Sequence, residues 1–181
     1  TRTSGSVNGI ILQGNSYIKV DGIVFNYTAP YAALFAYTSH HNEVTNCEFN
    51  EGGGFFIHSF CGGYPDPYTC NSTHNWIHGN TFTDMNGGGG CSEGNDTIRI
   101  GGAWAGNAGN INNTIEDNTF HHNGHVAIDM YQHKYTVVKN NIAHNEPWMT
   151  ANGLDYSCSG WYPDYTNPAY DNKWGHRNIH I

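Results

Sequence analysis

The sequence predicts an all-β solenoid, one domain over residues 1–181 with about six stacked coils and its loop insertions on one face. Three observations predict it. A short motif recurs along the whole chain: Asn113-Thr-Ile-Glu-Asp-Asn-Thr-Phe120 is answered by Tyr135-Thr-Val-Val-Lys-Asn-Asn-Ile142, with the apolar-alternating strand His125-Val-Ala-Ile-Asp-Met130 between them. No stretch keeps a 3.6-residue amphipathic period for more than a turn or so, whereas period-two alternation is common. The copies are also unequally spaced, as expected of a fixed strand motif carrying loop insertions.

Each coil is expected to hold two short strands. The first reads Gly9-Ile-Ile-Leu12, Ala33-Leu-Phe-Ala36, Phe55-Phe-Ile57, Thr97-Ile-Arg-Ile100, Ala127-Ile-Asp-Met130 and Gly153-Leu-Asp-Tyr156. Alternation points Leu34, Ala36, Phe55, Ile57, Ile98, Ile100, Ile128, Met130 and Leu154 inward. It leaves Phe35, Phe56, Arg99, Asp129 and Asp155 as an outward column.

The second strand opens on Val20, Val44, Ile77, Ile115, Val137 and Ile179, at steps of 24, 33, 38, 22 and 42 residues. In the first five copies it closes on Phe25, Phe49, Phe82, Phe120 and Ile142. Two positions before the close lies the column Ile23, Cys47, Asn80, Asn118 and Asn140. Its asparagines can form an internal amide ladder, with Cys47 a buried, unpaired thiol in the same column.

The extra residues Cys61–Asn75, Gly101–Asn112 and Ser157–Arg177 fall between first and second strands, which places them side by side on one face. Such faces usually bind. A fourth insertion, Asp84–Asn95, lies at another corner.

Composition narrows the function classes. A net charge of −8 with seven Lys and Arg speaks against nucleic acid, which needs a basic track. The 14% aromatic and 12% charged content argues against disorder, and no apolar run is long enough to span a membrane. The chain opens on Thr1 and reads as a mature or excised product, extracellular or at the cell surface. Sequons at Asn26, Asn71, Asn95 and Asn112 would mark an exported glycoprotein. Cys61 and Cys70 bracket a Gly/Pro loop that a disulfide would close in an oxidising compartment. Cys91 and Cys158 form a second bridge if the fold brings them together.

The repeat resembles the right-handed parallel β-helix superfamily, pectate-lyase-like and built from units of the form n-x-I-x-x-N-x-F, over residues 8 to 181. That resemblance implies the fold and leaves the function open, since members include lyases, glycoside hydrolases, epimerases, tailspikes, adhesins and surface proteins. Asp96-Thr-Ile-Arg-Ile-Gly101 followed by Asn113–Phe120 is locally similar to chondroitinase B and alginate lyase-like chains.

Four residues could carry chemistry. Arg99, Asp129 and Asp155 stand one coil apart, and two carboxylates so placed could serve a retaining glycosidase as acid and nucleophile. The plainer reading is a cross-strand Arg99–Asp129 ion pair. The alginate lyase-like resemblance implies a Lys and an Arg at work; Lys134 and Arg99 lie near the expected places, although His133-Lys134-Tyr135 is not that family's turn. Aromatic side chains of the insertions (Tyr64, Tyr68, Trp104, Trp148, Trp161, Tyr162, Tyr165, Tyr170 and Trp174) could stack on sugars, contact a protein partner, or simply pack loop on loop. His121, His122, His125 and His144 cluster, but as turn histidines they do not make a metal set. No cofactor is expected; calcium and zinc stay open.

No amphipathic helix is available to cover either end, so both terminal coils are expected to be uncapped. The leading expectation is an extracellular structural protein that stacks head to tail into a filament or surface assembly. A polysaccharide lyase or glycoside hydrolase acting on an extracellular polysaccharide is the alternative. A non-catalytic carbohydrate-binding module is the third.

Overall fold

A computed structural model describes residues 9–26, 31–36, 38–50, 54–57, 72–83, 85, 97–100, 110–121, 126–130, 133–144 and 177–180. Among the described residues all regular elements are strands, and every strand pair is parallel. No helix among the described residues is long and apolar enough to cross a membrane.

Three principal sheets result. Sheet 1 contains β1 (Ile10–Gln13), β4 (Tyr31–Ala36), β7 (Gly54–Ile57), β10 (Ile98–Ile100), β14 (Val126–Met130) and β18 (Arg177–His180), stacked in that order. Sheet 2 contains β2 (Lys19–Asp21), β5 (Glu43–Thr45), β8 (Trp76–His78), β12 (Thr114–Glu116) and β16 (Val137–Lys139). Sheet 3 contains β3 (Val24–Asn26), β6 (Glu48–Asn50), β9 (Thr81–Thr83), β13 (Thr119–His121) and β17 (Ile142–His144). Between sheets 1 and 2, β11 (Asn110–Ile111) and β15 (His133–Lys134) pair as a small fourth sheet.

A coil therefore has three sides, not two. The expected second strand breaks in the middle because one residue per coil turns left-handed. Gly22, Asn46, Gly79, Asp117 and Asn140 all have φ between 51° and 69° and separate sheet 2 from sheet 3. Gly, Asn and Asp are the residues that tolerate this conformation. Gly79 is also hemmed in, since a Cβ there would sit 3.4 Å from Asn46 Oδ1. An equivalent left-handed position precedes sheet 2, at Tyr17, His41, His74, Asn112 and Tyr135.

The core runs as columns along the axis. Val20, Val44, Ile77, Ile115 and Val138 share one register, and Phe25, Phe49, Phe82, Phe120 and Ala143 share another. The four phenylalanine rings stack at 5.0 Å with 7° between planes. Strand spacing in a sheet of this kind dictates that repeat.

Four expectations are corrected in the fifth coil and beyond. Val138, not Val137, faces the core; Ala143, not Ile142, closes the column; and Asn141, not Asn140, joins the ladder. Val-Val and Asn-Asn are doublets, so alternation could not choose between neighbours. The left-handed turn at Asn140 makes the choice, and Val137 and Ile142 consequently lie exposed. Ile179 does not open a further sheet-2 strand; it pairs with Ile128 in sheet 1.

A fifth correction concerns β4. Ala33 and Phe35 are fully buried, the reverse of the expected phase for Phe35, and the backbone register sets Leu34 opposite Phe56 and Ala36 opposite Gln13. Tyr-Ala-Ala-Leu-Phe-Ala is apolar throughout and offers no alternation to read, and a register shift between Tyr31 and Ala33 sets the phase.

Two asparagine ladders hold the corners. In one, Asn80 Nδ2 donates to Asn118 Oδ1 and Asn118 Nδ2 to Asn141 Oδ1, each at 3.0 Å. The same oxygens accept the backbone N–H groups of Asn80 and Asn118, so each amide closes several buried polar groups at once. The other ladder, Asn42–Asn75–Asn113, has the same geometry at 3.1 Å. It was legible in the spacing Asn-x-Val/Ile but not anticipated as a ladder.

Cys47 is buried and unpaired, as expected from its column. Its backbone N–H donates to Asn80 Oδ1 at 2.9 Å, while the amides of Ile23 and Gly22 point to its sulfur. Burial pushes the thiol pKa up. Native protein should therefore leave Cys47 unreactive to a thiol reagent until it unfolds, and rapid native-state labelling at this residue would contradict the burial. Cys47→Asn is expected to extend the ladder by one rung and raise stability by about 1 kcal/mol in a denaturant titration.

Candidate functional site

The outer face of sheet 2 carries the densest described set of polar and aromatic side chains. Alternation puts two residues of each strand outward. Lys19, Glu43, Trp76, Thr114 and Val137 form one row, and Asp21, Thr45, His78, Glu116 and Lys139 the other.

The charges are interlocked. Lys19 Nζ lies 3.1 Å from Glu43 and 3.3 Å from Asp21. His78 Nε2 is 2.9 Å from the same Glu43 oxygen, and its Nδ1 is 3.3 Å from Thr45 Oγ1. Trp76 Nε1 donates to Glu116 Oε1 at 2.6 Å, and Lys139 holds Glu116 Oε2, also at 2.6 Å. The indole lies on the His78 ring with centroids 3.8 Å apart.

These contacts hold the carboxylates ionised. The hydrogen bond from His78, then that from Lys19, lowers the pKa of Glu43; Lys139, then Trp76, does so for Glu116; Asn46, then Lys19, does so for Asp21. Hydrogen bonds to the carboxylates correspondingly raise Lys19 and Lys139. A carboxyl whose folded pKa is depressed stabilises the fold above its unfolded value, and that contribution is lost as pH falls through the folded value. The melting temperature should accordingly drop below pH 4.5, the ordinary glutamate value. Glu116→Gln should flatten that acid slope; an unchanged slope would contradict the pairing.

The arrangement looks hydrolytic only in outline. Thr45, His78 and Glu43 supply a hydroxyl, an imidazole and a carboxylate in one hydrogen-bonded line. Thr45 is 2% exposed, however, so its hydroxyl meets no substrate. A general acid at neutral pH requires a raised carboxyl pKa, and all three carboxylates here shift the other way.

The expected site residues separate across the fold. Arg99 and Asp129 are register neighbours in sheet 1, with Arg99 Nε 3.7 Å from Asp129 Oδ2, as in the ion-pair reading. Lys134 lies elsewhere, in the small sheet opposite Ile111; it is exposed. Asp155 is outside the described residues, as are Tyr64, Tyr68, Trp104, Trp148, Trp161, Tyr162, Tyr165, Tyr170 and Trp174. So are Cys61, Cys70, Cys91, Cys158, Asn71, Asn95, His122 and His125. Asn26 is exposed and accepts a bond from Asn50; Asn112 is exposed with its Nδ2 3.1 Å from His74 Nε2. His121 and His144 are register neighbours in sheet 3.

Sequence reasoning missed Trp76, His78, Glu43 and Glu116. They are scattered over 74 residues of sequence between Glu43 and Glu116, and only the coil register brings them together. It also missed the row Tyr17, His41, His74, where rings stack at 5.1 and 4.7 Å along the left-handed corner. Partial desolvation, with His74 and His40 adding to it, pushes the His41 imidazole pKa down. Among the described residues, no group of three or more His, Cys, Asp and Glu is placed to hold a metal.

Parallel strands stacked coil on coil, three sheets around one apolar core and asparagine ladders at the corners define a β-helical solenoid. A family model described as "Right handed beta helix region" matches residues 8–162, and the chain belongs to that family. No curated protein and no solved structure matches it.

Proposed function

We propose that this chain is an extracellular structural protein, a rigid β-helix that associates end to end with copies of itself. One observation carries the reading. Among the described residues, the exposed large hydrophobics are Ile11, Tyr17, Ile18, Ile23 and Val24 on the first coil, Tyr135, Val137 and Ile142 on the fifth, and Trp76. All but Trp76 lie on the first or the fifth coil, Ile11 in sheet 1 and the others in sheets 2 and 3 and the corners beside them, and apolar side chains gathered towards the ends in this way support association. Ile18 and Ile23 stand where later coils carry the ladder asparagines, so such a contact is sealed by apolar packing rather than by an extended amide ladder. The exposed sequon at Asn26 and the export-type composition support an extracellular setting.

The test is assembly state. Electron microscopy and sedimentation should show concentration-dependent rods, and Ile23→Lys with Val24→Lys should leave monomers. Monomers of the unmodified protein at every concentration would sink the proposal.

A second reading, polysaccharide lyase or glycoside hydrolase, is favoured by Lys134, an exposed cation with no carboxylate partner among the described residues. Lyase chemistry would release unsaturated product from alginate, pectate or chondroitin, detectable by absorbance. Absence of product on all three, with Lys134→Ala changing nothing, removes the lyase.

A further inference from the structure

Trp76 is the exception among the exposed apolar side chains, and its position has a different cause. It sits on the third of five strands in sheet 2, flanked by β5 and β12, so no missing neighbour explains its 41% exposure. The indole is held from two directions. Its Nε1 donates to Glu116 at 2.6 Å, and one face lies on His78 at 3.8 Å with 20° between planes. Lys139 fixes Glu116 in turn, and Glu43 fixes His78.

We propose that the outer face of sheet 2 around Trp76 is a binding site for an uncharged, hydroxyl-rich glycan. A ring pinned by its Nε1 bond and by the His78 ring, yet 41% exposed, loses almost no rotamer freedom when a partner packs on its exposed part. The apolar C–H face of a pyranose matches such a surface, while the sugar's hydroxyls need donors and acceptors around the ring. Glu43 and Thr114 flank Trp76 in register, and Glu43 Oε2, the Thr114 hydroxyl and the remaining ammonium hydrogens of Lys19 and Lys139 lie along the two outward rows.

Charge decides the glycan class. Around Trp76 stand three carboxylates, Asp21, Glu43 and Glu116, against two ammonium groups, Lys19 and Lys139, and each ammonium is already paired. The chain as a whole carries −8. A polyuronate or sulfated chain would meet repulsion and, among the described residues of this face, find no unpaired cation. A neutral polymer is indifferent to both. The site does not depend on end-to-end assembly, because it lies on the side of the solenoid.

The experiment is binding of the whole chain to a panel of neutral β-glucan, xylan and mannan, with alginate, pectate and a partly deacetylated chitosan as charged comparators, by affinity electrophoresis and calorimetry. Retention by at least one neutral polymer is expected, with little dependence on salt. Trp76→Ala should weaken it about ten-fold or more, and Trp76→Phe, which keeps an aromatic face, should weaken it less. Matching circular dichroism and melting curves for the three proteins guard against loss of fold. No retention by any neutral polymer, retention indifferent to Trp76→Ala, or tighter binding of the uronates or the cationic chitosan would each overturn the proposal.

Discussion

Phe82→Ala is expected to lower the unfolding free energy by about 3–5 kcal/mol, the largest effect of any single substitution considered for this chain. Phe82 is fully buried and sandwiched between Phe49 and Phe120 at 5.0 Å on either side. Its removal costs transfer energy, two ring contacts and a cavity at once. Coils above and below are tied to this one by backbone ladders on three sides, so they cannot close the gap. Phe25, at the end of the stack and only partly buried, should cost clearly less on the same change. Equal losses at Phe25 and Phe82 in urea titrations would show that the stack does not act as a continuous core.

Asn118→Ala should come next, at about 2–5 kcal/mol. Asn118 Oδ1 accepts from both the backbone N–H and the side-chain amide of Asn80, while Nδ2 donates to Ile77 O and Asn141 Oδ1. Alanine leaves the buried Asn80 N–H without its acceptor and removes the side-chain bonds to Ile77 O and Asn141 Oδ1, in mid-column, where Asn118 is fully buried. Asn141 is less buried and closes the described ladder, so Asn141→Ala should cost less. Because the rungs share partners, Asn80→Ala with Asn118→Ala should cost less than the sum of the two. Strict additivity would mean that the amides act as isolated side chains rather than as a ladder.

Much of this architecture was legible from residue order. The Ile/Val and Phe columns in coils one to four, the unpaired Cys47 and the Asn80–Asn118 contact all follow from a repeat whose spacing survives insertion. The errors fell where neighbouring residues are chemically alike. Val137 and Val138 serve equally well as an inward residue, as do Leu34 and Phe35, and a one-residue slip exchanges the two faces of a strand. The left-handed turn at Asn140 and the register shift in β4 resolved them. Neither feature has a composition signal strong enough to predict it.

The candidate site divides the same way. By itself the sequence determined that this is a repetitive, acidic, all-β chain with an apolar column, because those properties belong to single residues and their periods. Only the tertiary structure decided that Glu43, Trp76, His78 and Glu116 meet on one face and that Lys134 belongs to a different sheet from Arg99 and Asp129. Contacts between coils join residues about 20 to 40 apart through strand register, and the insertion lengths that set this separation differ at every turn. Register is a property of the stacked backbone, so it becomes visible only when the coils lie on one another.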